Sequence, residues 1–525
     1  MMRLILFQEQ YQLVQTLNSK IFNIIVMKKI FKILAIVISL TLFSCGDEFL
    51  EKYNPTQLDA GTFYQTEEQF EQALNGVYGD LQGLNGIEWI YTEYISDNST
   101  LHFNIGNRGN GPNMEAIDYW QYVAGTGQIA SWYNALYRGL GNINLALYKL
   151  TGAEIEQTAK SNFEGQLKFM RAYYYFHLVQ SFGDVIIVTE PITSPAEAYQ
   201  YSRSPASEVY SLIESDLTSA VSLLPATQAP VGKVTKGAAL SLLGKVYLTK
   251  KQYSDAVTTL KQVLSLGYSL LPDYAYLWDG LHKNSSESIL EVQYQADTDL
   301  GEWSGFVYNF LPRESYGAVL PFENQSGYGW GIPTNDIIGA YENGDLRKDL
   351  SLKEGYISND GEWVPVPYVQ KFLQPHNVLG RPGVNWPVIR YADVLLMLAE
   401  AMNEVSGPTG ETYGYVNSIR ERAGLAPLSG LSKDSFRTAV LQERRIELAF
   451  ENHRWYDLKR TMSSSELVSF LNAHGAREKS NPTTTRGGIP FSPGDYDFKD
   501  FEALFPIPES ERLINKDLTQ NEGYN

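Results

Sequence analysis

A single cysteine, Cys45, among 525 residues sets the tightest limit on how this chain can hold itself together. It stands directly behind an export pattern. Met27-Lys28-Lys29-Ile30-Phe31-Lys32 is cationic, Ile33 to Phe43 carries no charge, and Ser44 is a small residue before the cysteine. A basic segment, a short apolar segment and a small residue at the cut form a secretory signal. The apolar run is too short to span a bilayer, which needs about 20 residues. Exported domains commonly rely on disulfides, and a chain with one cysteine cannot, so its fold must be held by a core alone. The roughly 480 residues behind Cys45 are enough to bury one, split or elongated.

Leu42-Phe43-Ser44-Cys45 also resembles a bacterial lipobox, in which the cysteine takes a diacylglycerol and the new N-terminus a further acyl chain such as palmitate. Two or more acyl chains anchor stably where one does not. The reading is therefore a lipoprotein signal peptide over 27–44, lipidation at Cys45, and a mis-called N-terminal extension over 1–26. With 42 Lys+Arg against 60 Asp+Glu the chain carries a net charge of −18. That excludes nucleic acid as a partner, since phosphate binding needs a basic face. It equally excludes electrostatic adhesion to anionic lipid, so membrane attachment rests on the anchor.

Behind the signal, apolar residues at 70, 73, 74, 77, 78 and 81 predict a helix from Thr66 to about Leu84, with Thr66 and Gln69 placed as a capping box. Residues 85–128 are rich in glycine, asparagine and aromatics without a period, and read as a long loop. Helices are predicted at about 129–149, 154–181, 206–224, 236–249, 253–266, 389–404, 411–422, 433–451 and 453–460. Gly237, Ala238 and Gly244 suit a close crossing, and the 236–249 and 253–266 pair resembles a tetratricopeptide unit, which is stable only when stacked. Between 270 and 388, prolines, glycines and tryptophans cluster around short strand-like runs such as Ser288–Tyr294. The fold class is mainly α: a tetratricopeptide-like scaffold over about 60–270 and 389–460, with a few short strands and a loop-rich lobe over about 85–128 and 270–388.

Four stretches carry a family resemblance: Phe169-Met170-Arg171-Ala172-Tyr173-Tyr174-Tyr175-Phe176-His177, Lys236 to Leu248, Ile389-Arg390-Tyr391-Ala392-Asp393 with Val416 to Leu425, and Glu443-Arg444-Arg445-Ile446-Glu447 through Arg460. Together with the lipobox and Phe505-Pro506-Ile507-Pro508-Glu509, they run in the order of the SusD/RagB nutrient-uptake lipoproteins, which this chain resembles from 45 to 525. The family's Val-Pro after Phe-Gly is Val185-Ile186 here, and its Gln-Asn-Pro-Gly-Tyr ending reads Gln520-Asn521-Glu522-Gly523-Tyr524. The resemblance implies a surface-exposed outer-membrane lipoprotein without covalent chemistry. It would bind a nutrient, foremost an oligosaccharide with peptide as the alternative, and pass it to a TonB-dependent SusC-like channel. The Glu-Arg-Arg run, with Arg390 and Asp393 expected on another helix, reads as a structural ion network. There Arg444 or Arg445 must offset the like charges of Glu447 and Glu451.

No catalytic motif, cofactor cradle or metal-ligand spacing occurs, and the six histidines are scattered. Asp297-Thr298-Asp299 and Asp495-Tyr496-Asp497 offer oxygens but complete no calcium loop. A surface glycoside hydrolase, or a structural channel-partner module with a degenerate site, are the alternatives. Flat aromatic faces with a few polar groups suit a sugar ring. Loop-borne candidates are Trp89, Tyr91, Asp97, Asn98, Trp120 and Tyr122 in the first irregular block, and Trp303, Phe306, Tyr328, Trp330 and Trp363 in the second. The ligand-binding set expected from these is Trp330, Tyr328, Trp303, Trp120, Asp97 and Asn98. Trp330 leads it, because the glycines around it leave its ring little to pack on locally.

Overall fold

The computed structural model describes residues 14–17, 19–32, 63–106, 108–324 and 326–524, and the chain divides into two units, Met1–Phe63 and Tyr64–Asn525. In the first unit, residues 14–17 and 19–32 are helical and exposed; Cys45 and the lipobox lie outside the described residues. No helix among the described residues is long and apolar enough to cross a membrane.

In the second unit, Thr66 caps α1 (Glu67–Thr92) as the sequence predicts. Its hydroxyl accepts the Gln69 amide and the Gln69 side chain accepts the Thr66 amide, each at 3.3 Å. α1 does not end near Leu84. Glu88, Trp89, Ile90, Tyr91 and Thr92 are all buried on its last turns, so tertiary packing overrides the local glycines and asparagine. The expected loop over 85–128 thus shortens, and it also contains α2 (Gly111–Asp118).

The scaffold follows as α3 (Gly127–Thr151), packed on α1, then α4 (Gln157–Phe182), α5 (Ala206–Leu223), α6 (Lys236–Thr249) and α7 (Tyr253–Val263), each of these four packed on its predecessor. α7 then meets α8 (Tyr391–Ser406), which carries α9 (Gly410–Arg422) and α10 (Lys433–Glu447). Helix pairs stacking side by side are the repeat architecture expected. α4 is the axis of the core, buried continuously from Phe169 to Phe182, and its Arg171 holds Asp216 of α5 bidentately at 2.7 and 2.8 Å. Gly244 of α6 leaves room for Leu260 of α7, which a Cβ would strike. α11 (Arg454–Thr461) and α12 (Ser464–Ser480) complete the helices named here. α12 is absent from the predicted set, although its Ser463–Glu466 capping box and its buried Leu467, Leu471, His474 and Gly475 mark a helix.

Strands are short and antiparallel: β1 (Ser99–Thr100) pairs β3 (Ile332–Pro333), and β2 (Ser288–Val292) pairs β8 (Trp386–Arg390). β4 (Leu352–Lys353) pairs β7 (Tyr368–Val369), and β5 (Tyr356–Ile357) pairs β6 (Trp363–Val364). Arg390 therefore ends a strand and caps α8, rather than riding on a helix; the β2 partner captures it.

The ion network is structural, but its partners differ from those expected. Glu447 is held by Arg347 at 3.1 Å, Arg390 at 3.0 Å and Arg422 at 2.7 Å. Glu451 meets Arg390 at 2.7 Å and Lys371 at 2.8 Å. Arg444 turns instead to Asp393 at 2.8 Å and Asp457 at 3.1 Å, and Arg445 to Asp97 at 2.7 Å. Burial alone would raise the Glu447 pKa, yet Arg422, Arg390 and Arg347 together draw it down to about 2.

Breaking a buried pair strands its partner, at about 3–5 kcal/mol. Glu447→Gln and Arg390→Met should each lower the unfolding free energy measured in urea by that order. Because the folded pKa of Glu447 lies below its ordinary 4.5, its contribution is complete above pH 4.5 and disappears as pH falls toward 2. Thermal melts over that window should show less acid loss in Glu447→Gln; an identical acid slope would contradict this account.

Candidate functional site

The two irregular regions meet. β1–β3 pairing joins them, and beyond it the His102 amide donates to Gly329 O at 2.8 Å. The run 327–331 is pinned by successive amides: Gly327 to Pro312 O, Tyr328 to Tyr308 O, Gly329 to Leu311 O, and both Trp330 and Gly331 to Asn309 O, at 2.7–3.1 Å. On this rigid strip the Tyr328 and Trp330 rings stack, with centroids 4.9 Å apart and planes 20° from parallel. Tyr328 is 43% exposed and Trp330 is partly buried. The Trp330 indole N–H is itself buried and finds no acceptor among the described residues.

The glycines around Trp330 serve close backbone approach. Gly329 has φ +64°, and a Cβ there would lie 2.8 Å from His102 Cβ and 3.0 Å from Arg313 Cγ. At Gly331 it would lie 2.9 Å from the Phe310 ring, which packs edge-on against buried Trp89. The Trp330 ring is not left bare, since Tyr328 covers one face.

Behind the stack the polar groups are fixed. Tyr308 lies edge-on to Tyr328 at 6.4 Å; its hydroxyl accepts the Gly380 amide at 3.1 Å and bonds His376 Nε2 at 3.1 Å. His102 Nδ1 accepts the Arg313 amide at 3.3 Å, which places its proton on Nε2. Burial, reinforced by the Arg313 charge, pulls the His102 pKa down to about 4, so the ring is neutral at neutral pH. An uncharged imidazole and two stacked rings at the surface, with the buried Tyr308 phenol bracing them from behind, can bind a flat polar ligand through its face and its edge.

The other sequence candidates lie elsewhere. Trp120 is 1% exposed, donates its indole N–H to Ile95 O at 3.1 Å and packs edge-on to Tyr496 and Phe498. Asp97 and Asn98 are buried too. Arg454 grips the Asp97 carboxylate at 2.7 and 3.0 Å, and Arg445 bonds Asn98 Oδ1 at 2.9 Å. Burial would raise the Asp97 pKa, but Arg445 and Arg454 hold it below the usual carboxylate range. Asp97 and Asn98 tie the first loop to α10 and α11, and the side chains of all three residues are occupied by packing or ion pairing, which corrects their assignment to ligand contact. Trp89, Tyr91, Tyr122 and Phe306 are buried as well. Trp303 sits on a separate turn, with its indole on Thr298 O at 2.7 Å and Arg381 4.9 Å above its ring. Asp297 is spent on the Asn377 and Val378 amides, and no metal-holding cluster occurs among the described residues.

Sequence reasoning missed His102, Tyr308 and Arg313, which have no shared local pattern and converge only through β1–β3. An internal cavity of about 60 Å³, lined by Glu88, His177, Lys245 and His453 among others, has the size of a few waters rather than a sugar ring. Burial raises the Glu88 pKa to about 8 and lowers that of His177 to about 3.

The chain is similar to known proteins along most of its length. A family model described as "SusD family" matches residues 358–524, and one described as "Starch-binding associating with outer membrane" matches 48–248. SusD-like protein P2 of Formosa agariphila is 28% identical, with 95% of this chain and 100% of that protein covered. A SusD-like protein of Bacteroides ovatus is 25% identical over 81% of this chain and 82% of its own length. Among solved structures, a SusD superfamily protein from Parabacteroides distasonis matches with TM-score 0.73 and 28% identity, over 89% of this chain and 100% of that one. A laminarin-binding SusD-like protein matches with TM-score 0.72 and 26% identity, over 88% and 100%.

Removing a fully buried Trp costs about 3–5 kcal/mol, whereas truncating a half-exposed ring costs far less. Trp120→Ala should therefore lower the unfolding free energy by about 3–5 kcal/mol and Tyr328→Ala by under about 1 kcal/mol. Equal losses in equilibrium unfolding would remove the distinction drawn between the two.

Proposed function

From the premise that this chain belongs to the SusD/RagB family, we propose that it captures an oligosaccharide on the Tyr328–Trp330 stack and takes part in nutrient uptake. One observation carries the reading. Two aromatic rings are held in register at the surface by backbone bonds, beside a neutral histidine and a fixed phenol. Sugar C–H faces stack on such rings, and their hydroxyls need donors and acceptors that do not move. The similarity to a laminarin-binding structure supports a glycan over a peptide as cargo.

Lipidation at Cys45 would tether the protein to the outer membrane, in keeping with the lipobox and with the family model's description. Facing outward, it would hand its ligand to a TonB-dependent SusC-like channel. Binding alone serves that role, and no bond in the ligand needs to break. Trp303 would belong to the wider binding surface through its partly exposed, arginine-covered ring.

Calorimetric titration of the purified chain with laminari-oligosaccharides and a wider glycan and peptide panel tests the site. Trp330→Ala should weaken the best glycan about tenfold or more, the scale of losing a well-packed aromatic contact, with an unchanged melting temperature. Unaltered affinity would remove Trp330 from the site, and glycan turnover would replace binding with hydrolysis. Separately, Cys45→Ser should abolish acyl labelling and membrane attachment while leaving glycan affinity intact. A mutant still acylated and membrane-bound would contradict the anchor.

A further inference from the structure

We propose that the saccharide taken at the Tyr328–Trp330 stack is anionic, bearing a carboxylate or sulfate ester that Arg108, Arg313 and Arg486 recognise; this rests on the oligosaccharide reading above. In a chain of net charge −18, a surface cluster of guanidiniums runs against the average. These three come from segments far apart in sequence and converge on one loop. Phe103 gathers two of them, with Arg108 Cζ 3.8 Å and Arg486 Cζ 3.9 Å from its ring centroid. Arg313 brings the third. Its Nη1 donates to Arg108 O at 3.1 Å, and its Nη2 lies 2.7 Å from where a Cβ on Gly109 would stand.

The cluster adjoins the stack through Gly329, the residue between the two rings. A Cβ there would lie 3.0 Å from Arg313 Cγ, so the Arg313 stem passes directly against it. All three arginines are partly exposed, with 28% of the Arg108 side chain open. Stacking a guanidinium on a ring uses its face and leaves its edge donors to match a planar or tetrahedral oxyanion.

Acidic neighbours weaken the cluster without cancelling it. Glu115 pairs with Arg108, and Glu314 lies close enough to act on His102. Asp118, behind them, accepts from Thr100 and the Leu101 amide, and burial raises its pKa well above the ordinary value, so it adds little charge. Arg486 also donates from all three nitrogens, to the Tyr119 hydroxyl at 2.8 Å, Ile489 O at 3.1 Å and Pro490 O at 3.4 Å, bonds to uncharged acceptors that orient it without neutralising its charge.

The test is calorimetry of the purified chain with oligosaccharides of equal length: neutral laminari-type, uronate-containing and sulfated. At least one anionic class should bind about tenfold tighter than the neutral one, the scale of a charge-assisted hydrogen bond. That advantage should shrink as salt rises from about 0.05 to 0.5 M. Arg313→Gln should bring the anionic ligand down to the neutral level, and Glu115→Gln, by freeing Arg108, should tighten it. A preference for uronate or for sulfate alone identifies the anion and supports the proposal. Neutral and anionic ligands of equal affinity, with neutral binding still lost in Trp330→Ala, overturn the charge assignment and leave the binding site standing. No binding in any class overturns both. Should Arg313→Gln fail to fold, the ligand comparison and its salt dependence on the unaltered chain decide.

Discussion

Three carboxylates four positions apart in the sequence, Glu443 and Glu447 on the end of α10 and Glu451 in the turn behind it, are all buried, and the cations around them are arranged to meet their charge. A buried carboxylate is tolerable only when cations and hydrogen bonds replace its water. Here the cations come from everywhere else: Arg347 and Lys371 from the inserted lobe, Arg390 from the end of β8, and Arg420 and Arg422 from the last turn of α9. The neighbouring Arg445 and Arg454 then reach the first loop through Asp97. A segment of fewer than twenty residues thereby fixes both irregular regions against the helical scaffold. In a chain whose only cysteine is Cys45, this ionic clamp does within residues 64–525 the cross-linking that disulfides do in many other proteins.

The clamp and the candidate site have a simple division of labour. Asp97 and Asn98 sit at the start of the first loop and are consumed by anchoring, which holds β1 where it can pair with β3. That pairing delivers His102 to Gly329 and Arg313. The residues that contact the scaffold and those that face solvent are therefore different, although they lie within six positions of one another.

The scaffold was largely legible in the sequence because helical period is a local signal. α6 begins and ends where its pattern does, and Thr66 caps α1 as written. Errors fall where tertiary contacts overrule local composition. The last turns of α1 stay helical because their side chains are buried, and Arg390 is drawn into a strand by β2. The site was less legible. Residue type alone cannot separate Trp120, sealed in the core, from Tyr328 at the surface, since both sit among glycines and polar residues in sequence. Nor could any spacing foretell that Arg486 would stack on Phe103 across nearly four hundred positions.

The strip 327–331 has a wider consequence. Its two stacked rings are side chains, while its shape is set by amides donating to carbonyls of 308–312, bonds indifferent to which rings the strip carries. Such a strip behaves as an interchangeable cassette. Exchanging the residues at 328 and 330 changes what is displayed without disturbing how it is mounted, so one backbone frame can present many different faces.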